Sequence, residues 1–175
     1  MKRVALTGGI ACGKSLAARF LRERGYATID ADDIAHSLIS PEERAELAKT
    51  VFHDPAARRA LESRLHPVIR AQLKSAFESN ESGRPLIEII PLLFEVHWDS
   101  DYDIICSVVS ERESQLSRMT ATRGHTREEA EARIGAQMPN GEKAAKSHYV
   151  IANDGSAEDL RIAVAELVRW LDKQQ

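Results

Sequence analysis

Apolar positions along this chain fall into two patterns, short continuous runs and longer stretches with helical spacing. The runs Arg3-Val4-Ala5-Leu6-Thr7, Tyr26-Ala27-Thr28-Ile29, Leu86 to Ile90, Ile104 to Val109 and Tyr149 to Ala152 are the strand candidates, several of them rich in Ile and Val. Continuous rather than alternating hydrophobicity suits strands covered on both faces, as in a parallel sheet. From Lys14 onward Leu16, Ala17, Phe20 and Leu21 recur at helical spacing, and Gly25 stands where a C-terminal stop is expected. Further helices are expected over Ile34 to Phe52, broken near Pro41, and over Ala56 to Ser79, Glu111 to Thr122, Arg127 to Gln137 and Ala157 to Asp172. In the last of these, Leu160, Val164, Leu167, Val168 and Leu171 form one apolar face. Asn80 to Pro85 and Pro139-Asn140-Gly141 read as loops, because Gly, Pro, Asn and Ser cluster there.

The repeating βα order predicts one α/β domain, a five-stranded and mostly parallel sheet flanked by helices. Two helical insertions decorate it. The core is expected over about residues 1–33, 84–117 and 142–175, with insertions over about 34–83 and 118–141.

Composition narrows the partners. With 24 Lys and Arg against 27 Asp and Glu, the net charge is −3, so the global field weakly repels anions and no nucleic-acid binder is expected. Anion binding would have to come from a local cluster of cations and backbone amides. No run approaches the roughly 20 apolar residues of a membrane span, and Met1 to Ala5 is followed within a few residues by glycines, so neither a membrane segment nor a signal peptide is expected. Cys12 and Cys106 are too few for a disulfide framework and read as free thiols of a reducing compartment. The cytoplasm is the expected setting.

The strongest chemical signal is Gly8-Gly9-Ile10-Ala11-Cys12-Gly13-Lys14-Ser15, which fits G-x-x-x-x-G-K-[ST] between an expected strand and an expected helix. Successive backbone N–H groups must converge on phosphate oxygens, and glycine lets the backbone turn and approach that closely. The helix N-terminus adds partial positive charge. In such a P-loop, Lys14 bridges the β- and γ-phosphates and the Ser15 hydroxyl ligates the magnesium ion, while the side chains of Leu16 and Ala17 pack. Cys12 contributes mainly a backbone amide. ATP and Mg2+ are therefore the expected ligands.

Ile29-Asp30-Ala31-Asp32-Asp33 puts three carboxylates at the C-terminal end of a strand, the edge where ligands of open α/β sheets bind. Phosphoryl transfer to an alcohol needs a carboxylate to orient the hydroxyl and accept its proton, and Asp32 is the candidate. Helix capping is the competing reading of Asp30 and Asp33, and of Asp32 as well.

Thr7-Gly8-Gly9-Ile10 with Gly13-Lys14-Ser15, then Ile29-Asp30-Ala31-Asp32, Ile34-Ala35, Arg44-Ala45-Glu46-Leu47, Val51-Phe52, Leu65-His66-Pro67-Val68-Ile69, Pro91-Leu92-Leu93-Phe94-Glu95, Gln115, Arg118, Arg123, Ala136-Gln137 and Val150-Ile151-Ala152-Asn153 resemble dephospho-CoA kinases in this order, nearly end to end. The P-loop is shared with many families, whereas Asp-Ala-Asp, His-Pro and Pro-Leu-Leu-Phe-Glu are specific. The resemblance implies a nucleotide-kinase-like P-loop NTPase fold, ATP-dependent phosphorylation of the ribose 3′-hydroxyl of dephospho-CoA, and Asp32 as base. It places ATP contacts at Gly9, Ile10, Ala11, Cys12, Gly13, Lys14, Ser15, Leu16 and Asn153. Acceptor contacts fall on Asp32, His66, Arg70 and Glu95, a CoA-binding region on 34–83 and a lid on 118–141.

His66 reads also as a core histidine, Pro67 as a bend or opening of a helix, and Glu95 as a substrate contact or a partner for a basic residue. Arg118 is preferred over Arg123 as the cation arriving with the lid, since guanidinium forks suit phosphate oxygens. Arg44, Arg70, Lys143 and Lys146 are weaker candidates. The expected partners are ATP and dephospho-CoA, with the chain a monomer or weak oligomer. A kinase for another small alcohol or nucleotide, or a nucleotide-binding module without transfer activity, are the alternatives. Two departures from the family stand out: Ala11-Cys12 and Ser15-Leu16 replace the commoner Gly-Ser and Ser-Thr, and the stretch between Ala35 and Arg44 is much shorter than usual.

Overall fold

The computed structural model describes residues 1–50 and 54–174. Five strands form one sheet: β1 (Val4–Gly8), β2 (Thr28–Asp30), β3 (Ile87–Ile89), β4 (Ile104–Val109) and β5 (Tyr149–Ala152). Their order is β2-β3-β1-β4-β5, and every pairing is parallel, so the sheet is parallel throughout rather than mostly so. β1 lies at the centre. Its residues alternate between two cores, as the strand period of two requires. Val4 and Leu6 pack beneath α1 (Lys14–Glu23) and α8 (Ala157–Asp172), which supply Phe20, Leu21, Leu160, Val164 and Leu167. Ala5 faces the other side, where α4 (Pro55–Glu78) brings Leu65, Ile69 and Leu73 against Leu93, Trp98 and Ile105. Full burial of each such aliphatic side chain contributes roughly 1.5–3 kcal/mol.

The remaining helices are α2 (Ala31–Ser37), α3 (Pro41–Thr50), α5 (Arg112–Arg123), α6 (Arg127–Gly135) and α7 (Asn140–Ala145), and Asp99–Asp101 forms a single 3-10 turn. The stretch expected as helix over Ile34 to Phe52 is broken near Pro41 as expected, into two helices, but the first opens earlier, at Ala31; Val51 and Phe52 lie outside the described residues. Pro67 neither opens nor ends α4, which runs through it. Pro139-Asn140-Gly141 is not a loop: Asn140 and Gly141 form the first turn of α7, with Pro139 as its N-terminal flank. The helix closes because Glu142 N–H and Lys143 N–H both donate to Pro139 O, and Lys143 faces inward, fully buried.

Glu88, also fully buried, points its carboxylate at Arg3 (2.7 and 2.9 Å) and the Tyr102 hydroxyl (2.6 Å). Burial and the bond to Glu88 push the Tyr102 phenol well above its usual range. Paired in this way, the carboxylate ties β3 to the start of β1 and to the segment entering β4, on the face of the sheet shared with α4.

Candidate active site

β1 ends in Gly8, where the chain leaves the sheet at φ +145° and a Cβ would stand 2.0 Å from Val108 O on β4. Gly13 is the second position where only glycine fits, because its φ is +96° and a Cβ would lie 2.3 Å from Asn153 Nδ2. Between them the loop turns with Ala11 at φ +58° and Cys12 N–H donating to Gly9 O (3.3 Å), and α1 begins at Lys14. The backbone amides at its N-terminus therefore open toward the C-terminal edge of the sheet.

Lys14 Nζ curls back to donate to Gly8 O (2.8 Å) and Gly9 O (2.9 Å). Burial pushes this ammonium down to about 8, Lys143 adds to the effect, and Cys12, Asp32 and Asp30 oppose it. The result is a desolvated cation whose charge an incoming anion would stabilise. Ser15 is exposed at the first turn of α1, whereas Cys12 is buried with Asn140 Nδ2 3.3 Å from its sulfur.

Polar side chains from distant elements hold the loop in shape. Gln115 Nε2 donates to Ile10 O (2.7 Å), and Gln137 Oε1 accepts from Ile10 N–H (2.8 Å). Asn153 Nδ2 donates to Cys12 O (2.8 Å), and Asn140 Nδ2 donates to Gln115 Oε1 (3.0 Å) and Ser110 O (2.7 Å). Arg118 donates to Ala11 O (3.2 Å), Ser110 Oγ (2.9 Å) and Asn153 O (2.6 Å). Its guanidinium is therefore spent on the back of the loop, not extended from a distant lid. The side chain of Arg123 lies outside the described residues.

Asp30 caps α2, its carboxylate accepting from Asp32 N–H (2.9 Å), and burial is the first cause of its raised pKa. Asp32, one residue into α2, is exposed and lines an open cleft of about 290 Å³. The cleft is walled by Leu61, Leu65 and His66 of α4 and by Pro91, Leu92 and Trp98. His66 meets Trp98 edge-on, with ring centroids 5.2 Å apart and planes at 78°. One carboxylate thus stands between a phosphate-loop cation and an apolar cleft large enough for part of a nucleotide or a thiol chain.

Not every expected contact reaches the cleft. Arg70 is exposed, paired with Asp101 and set 5.7 Å from the Trp98 ring centre, so it buttresses the aromatic wall from behind. Glu95 turns away and pairs with Lys143 at 2.7 Å. Arg44 donates to His36 O (2.8 Å) and Ile39 O (3.1 Å), bracing the turn from α2 to α3. Lys146 is exposed, 5.7 Å from the Phe94 ring centre.

Comparison with known proteins supplies the family, which this geometry leaves open. Residues 2–45 and 41–159 match the dephospho-CoA kinase family. The chain belongs to it. The dephospho-CoA kinase of Symbiobacterium thermophilum is 39% identical over 188 aligned positions, covering 94% of this chain and 79% of the relative. The crystal structure of TT1252 from Thermus thermophilus superposes with a TM-score of 0.81 at 34% identity, covering 97% of each chain. The dephospho-CoA kinase from Campylobacter jejuni gives 0.65 at 25% identity, again over 97% of each. These confirm a P-loop kinase fold. An alignment of 188 positions is longer than the 175 residues of this chain, so the dephospho-CoA kinase of Symbiobacterium carries residues that this one lacks. The two matched segments of the family meet over residues 41–45, at the start of α3.

The sequence does not expose every member of this dephospho-CoA kinase site. Asn140 hides in an apparent loop, and Lys143 reads only as a weaker candidate for a phosphate-binding cation. The aromatic wall at Trp98 reads as packing. Gln115 and Gln137 are visible only through the family pattern, since amides carry no motif of their own.

Proposed function

We propose that this chain transfers the γ-phosphoryl group of ATP to the ribose 3′-hydroxyl of dephospho-CoA, giving coenzyme A and ADP, as its family membership implies. The observation that carries the assignment of roles is the position of Asp32, on the rim of the apolar cleft and close enough to Lys14 to raise its basicity. The Asp32 carboxylate orients the acceptor hydroxyl and takes its proton as the oxygen attacks phosphorus. A new O–P bond forms, the bond to the β–γ bridging oxygen breaks, and ADP leaves with that electron pair.

Lys14 exchanges its two carbonyl contacts for β- and γ-phosphate oxygens, and the amides from Gly9 to Leu16 cradle the same phosphates. Among the described residues no group of three or more His, Cys, Asp or Glu is arranged to hold a metal ion. The donor set still fits magnesium, which is commonly bound by phosphate oxygens, water and one or two protein oxygens, here Ser15 Oγ. Bound there, the ion would neutralise charge on the phosphates.

Arg118 and Asn153 shape the loop through Ala11 O and Cys12 O. His66 belongs to the acceptor surface, and Arg70 supports it through Trp98. We assign residues 34–83 to acceptor binding and 118–141 to a lid. The setting we propose is the cytoplasm, with the chain a monomer or weak oligomer. No described helix is long and apolar enough to cross a membrane.

ADP release from MgATP is the test, measured with and without dephospho-CoA and with the product weighed by mass spectrometry. Acceptor-dependent turnover yielding coenzyme A is expected. Turnover of nucleoside monophosphates or shikimate-like alcohols without turnover of dephospho-CoA would overturn it.

A further inference from the structure

Lys143 on α7 is fully buried, a rare position for an ammonium group. Its Nζ lies 2.7 Å from Glu95 Oε1 and donates to Pro91 O at 2.9 Å. The same Glu95 oxygen accepts from Met138 N–H (3.0 Å), just before α7, and Thr7 Oγ1 at the end of β1 also reaches Pro91 O (3.3 Å). Glu95 Oε2 is buried with no hydrogen-bond partner in the described structure. Pro91 and Glu95 lie on the compact turn that leads to Trp98, closed by Val96 N–H to Leu92 O (3.0 Å) and Trp98 N–H to Leu93 O (3.0 Å). That turn supplies Pro91, Leu92, Val96 and Trp98 to the acceptor cleft.

We propose that Glu95 and Lys143 are positioning residues for phosphoryl transfer: their buried ion pair clamps the cleft-lining turn, beside the end of β1, to α7 and the segment returning from residues 118–141. The proposal rests on the transfer reading above. A purely structural purpose would be served as well by apolar packing, since buried ion pairs often add nothing to stability over hydrophobic replacements. Here the pair joins the parts that must keep register during transfer.

The variant to make is the double substitution Glu95→Gln with Lys143→Met, which leaves no unpaired buried charge. KM and kcat for dephospho-CoA are measured by steady-state kinetics, with MgATP affinity by titration calorimetry beside them. The expected result is a KM raised about tenfold or more by loosening of the cleft wall, the scale of small misplacements. MgATP affinity stays within about threefold, and kcat at saturating acceptor changes less than KM. A double variant with wild-type KM overturns the proposal. If it does not fold, Glu95→Gln alone removes the carboxylate charge and keeps one amide oxygen as acceptor, and a wild-type KM in that variant is equally fatal. Should wild-type protein show no transfer to dephospho-CoA, the functional reading falls on its own, and calorimetric affinity for dephospho-CoA, double variant against wild type, then decides the clamp.

Discussion

Lys14 spends its ammonium on two carbonyls of its own loop, and both contacts must be given up before a phosphate can be gripped. With burial holding the group down to about 8, roughly half the population is neutral near that pH. A bound phosphate stabilises the charged form, so ATP binding draws a proton from solution. Calorimetry at pH 8 in two buffers of different ionisation enthalpy is expected to report uptake of about half a proton, vanishing at pH 6.5. Asp32 has a different signature, because in the proposed reaction it acts on the acceptor and not on the nucleotide. Asp32→Asn is expected to lower kcat on the order of a hundredfold or more with ATP affinity nearly unchanged, measured by steady-state kinetics and calorimetry. Both residues were legible in the sequence, since a P-loop and a carboxylate at a strand end are local patterns. Lys143 was legible only as a weaker cation candidate, because only the fold brings Glu95, 48 positions away, to its side.

At the scale of elements, strands β4 and β5 and helix α8 keep the bounds their apolar patterns foretell, β4 because it is buried in the core and α8 because its apolar face is, while edge strand β5 buries only Ile151. The α2 start and α7 were misreadings with a local cause. Asp30 as N-cap starts α2 earlier than the apolar periodicity begins at Ile34. Six-residue α7 is too short to show a period, and its opening Asn-Gly carries turn chemistry. Where caps are visible they are informative: Ser156 and Asp159 form a reciprocal capping box at the start of α8, with bonds of 2.8 and 3.2 Å between side chains and backbone N–H groups. Ser156→Ala is expected to cost about 1 kcal/mol in urea unfolding, while ATP affinity is retained because the box lies in an exposed turn beyond the loop.

Across the whole molecule, the order β2-β3-β1-β4-β5 sets the loop after β1 between β3, which leads into the cleft wall, and β4, which leads to Ser110 and Arg118. The position of the active edge was therefore implied by the βα order, whereas the width of the acceptor cleft was not. It depends on how Trp98 and α4 meet, and on the shortened turn that Arg44 braces. Hydrogen exchange offers a global check: amides of central β1 and its partner β4 are expected to exchange slowest, and those of edge strands β2 and β5 sooner. A single variant that unfolded the sheet would erase that ordering, whereas a local change at the cleft would leave it.

The central strand is also the first to be made. Val4 pairs with Ile87 and Ile104, so its neighbours emerge from the ribosome some 80 to 100 residues later. At about 5–20 residues per second, that is a wait of roughly 4–20 seconds. For that interval the newborn chain presents an apolar segment with two unpartnered edges, and the nucleotide loop that follows it lacks its braces until Gln115, Arg118, Gln137 and Asn153 arrive. Nascent chains halted before β4 are accordingly expected to need chaperone protection and to show no affinity for ATP, and release of the full length is when both properties change together.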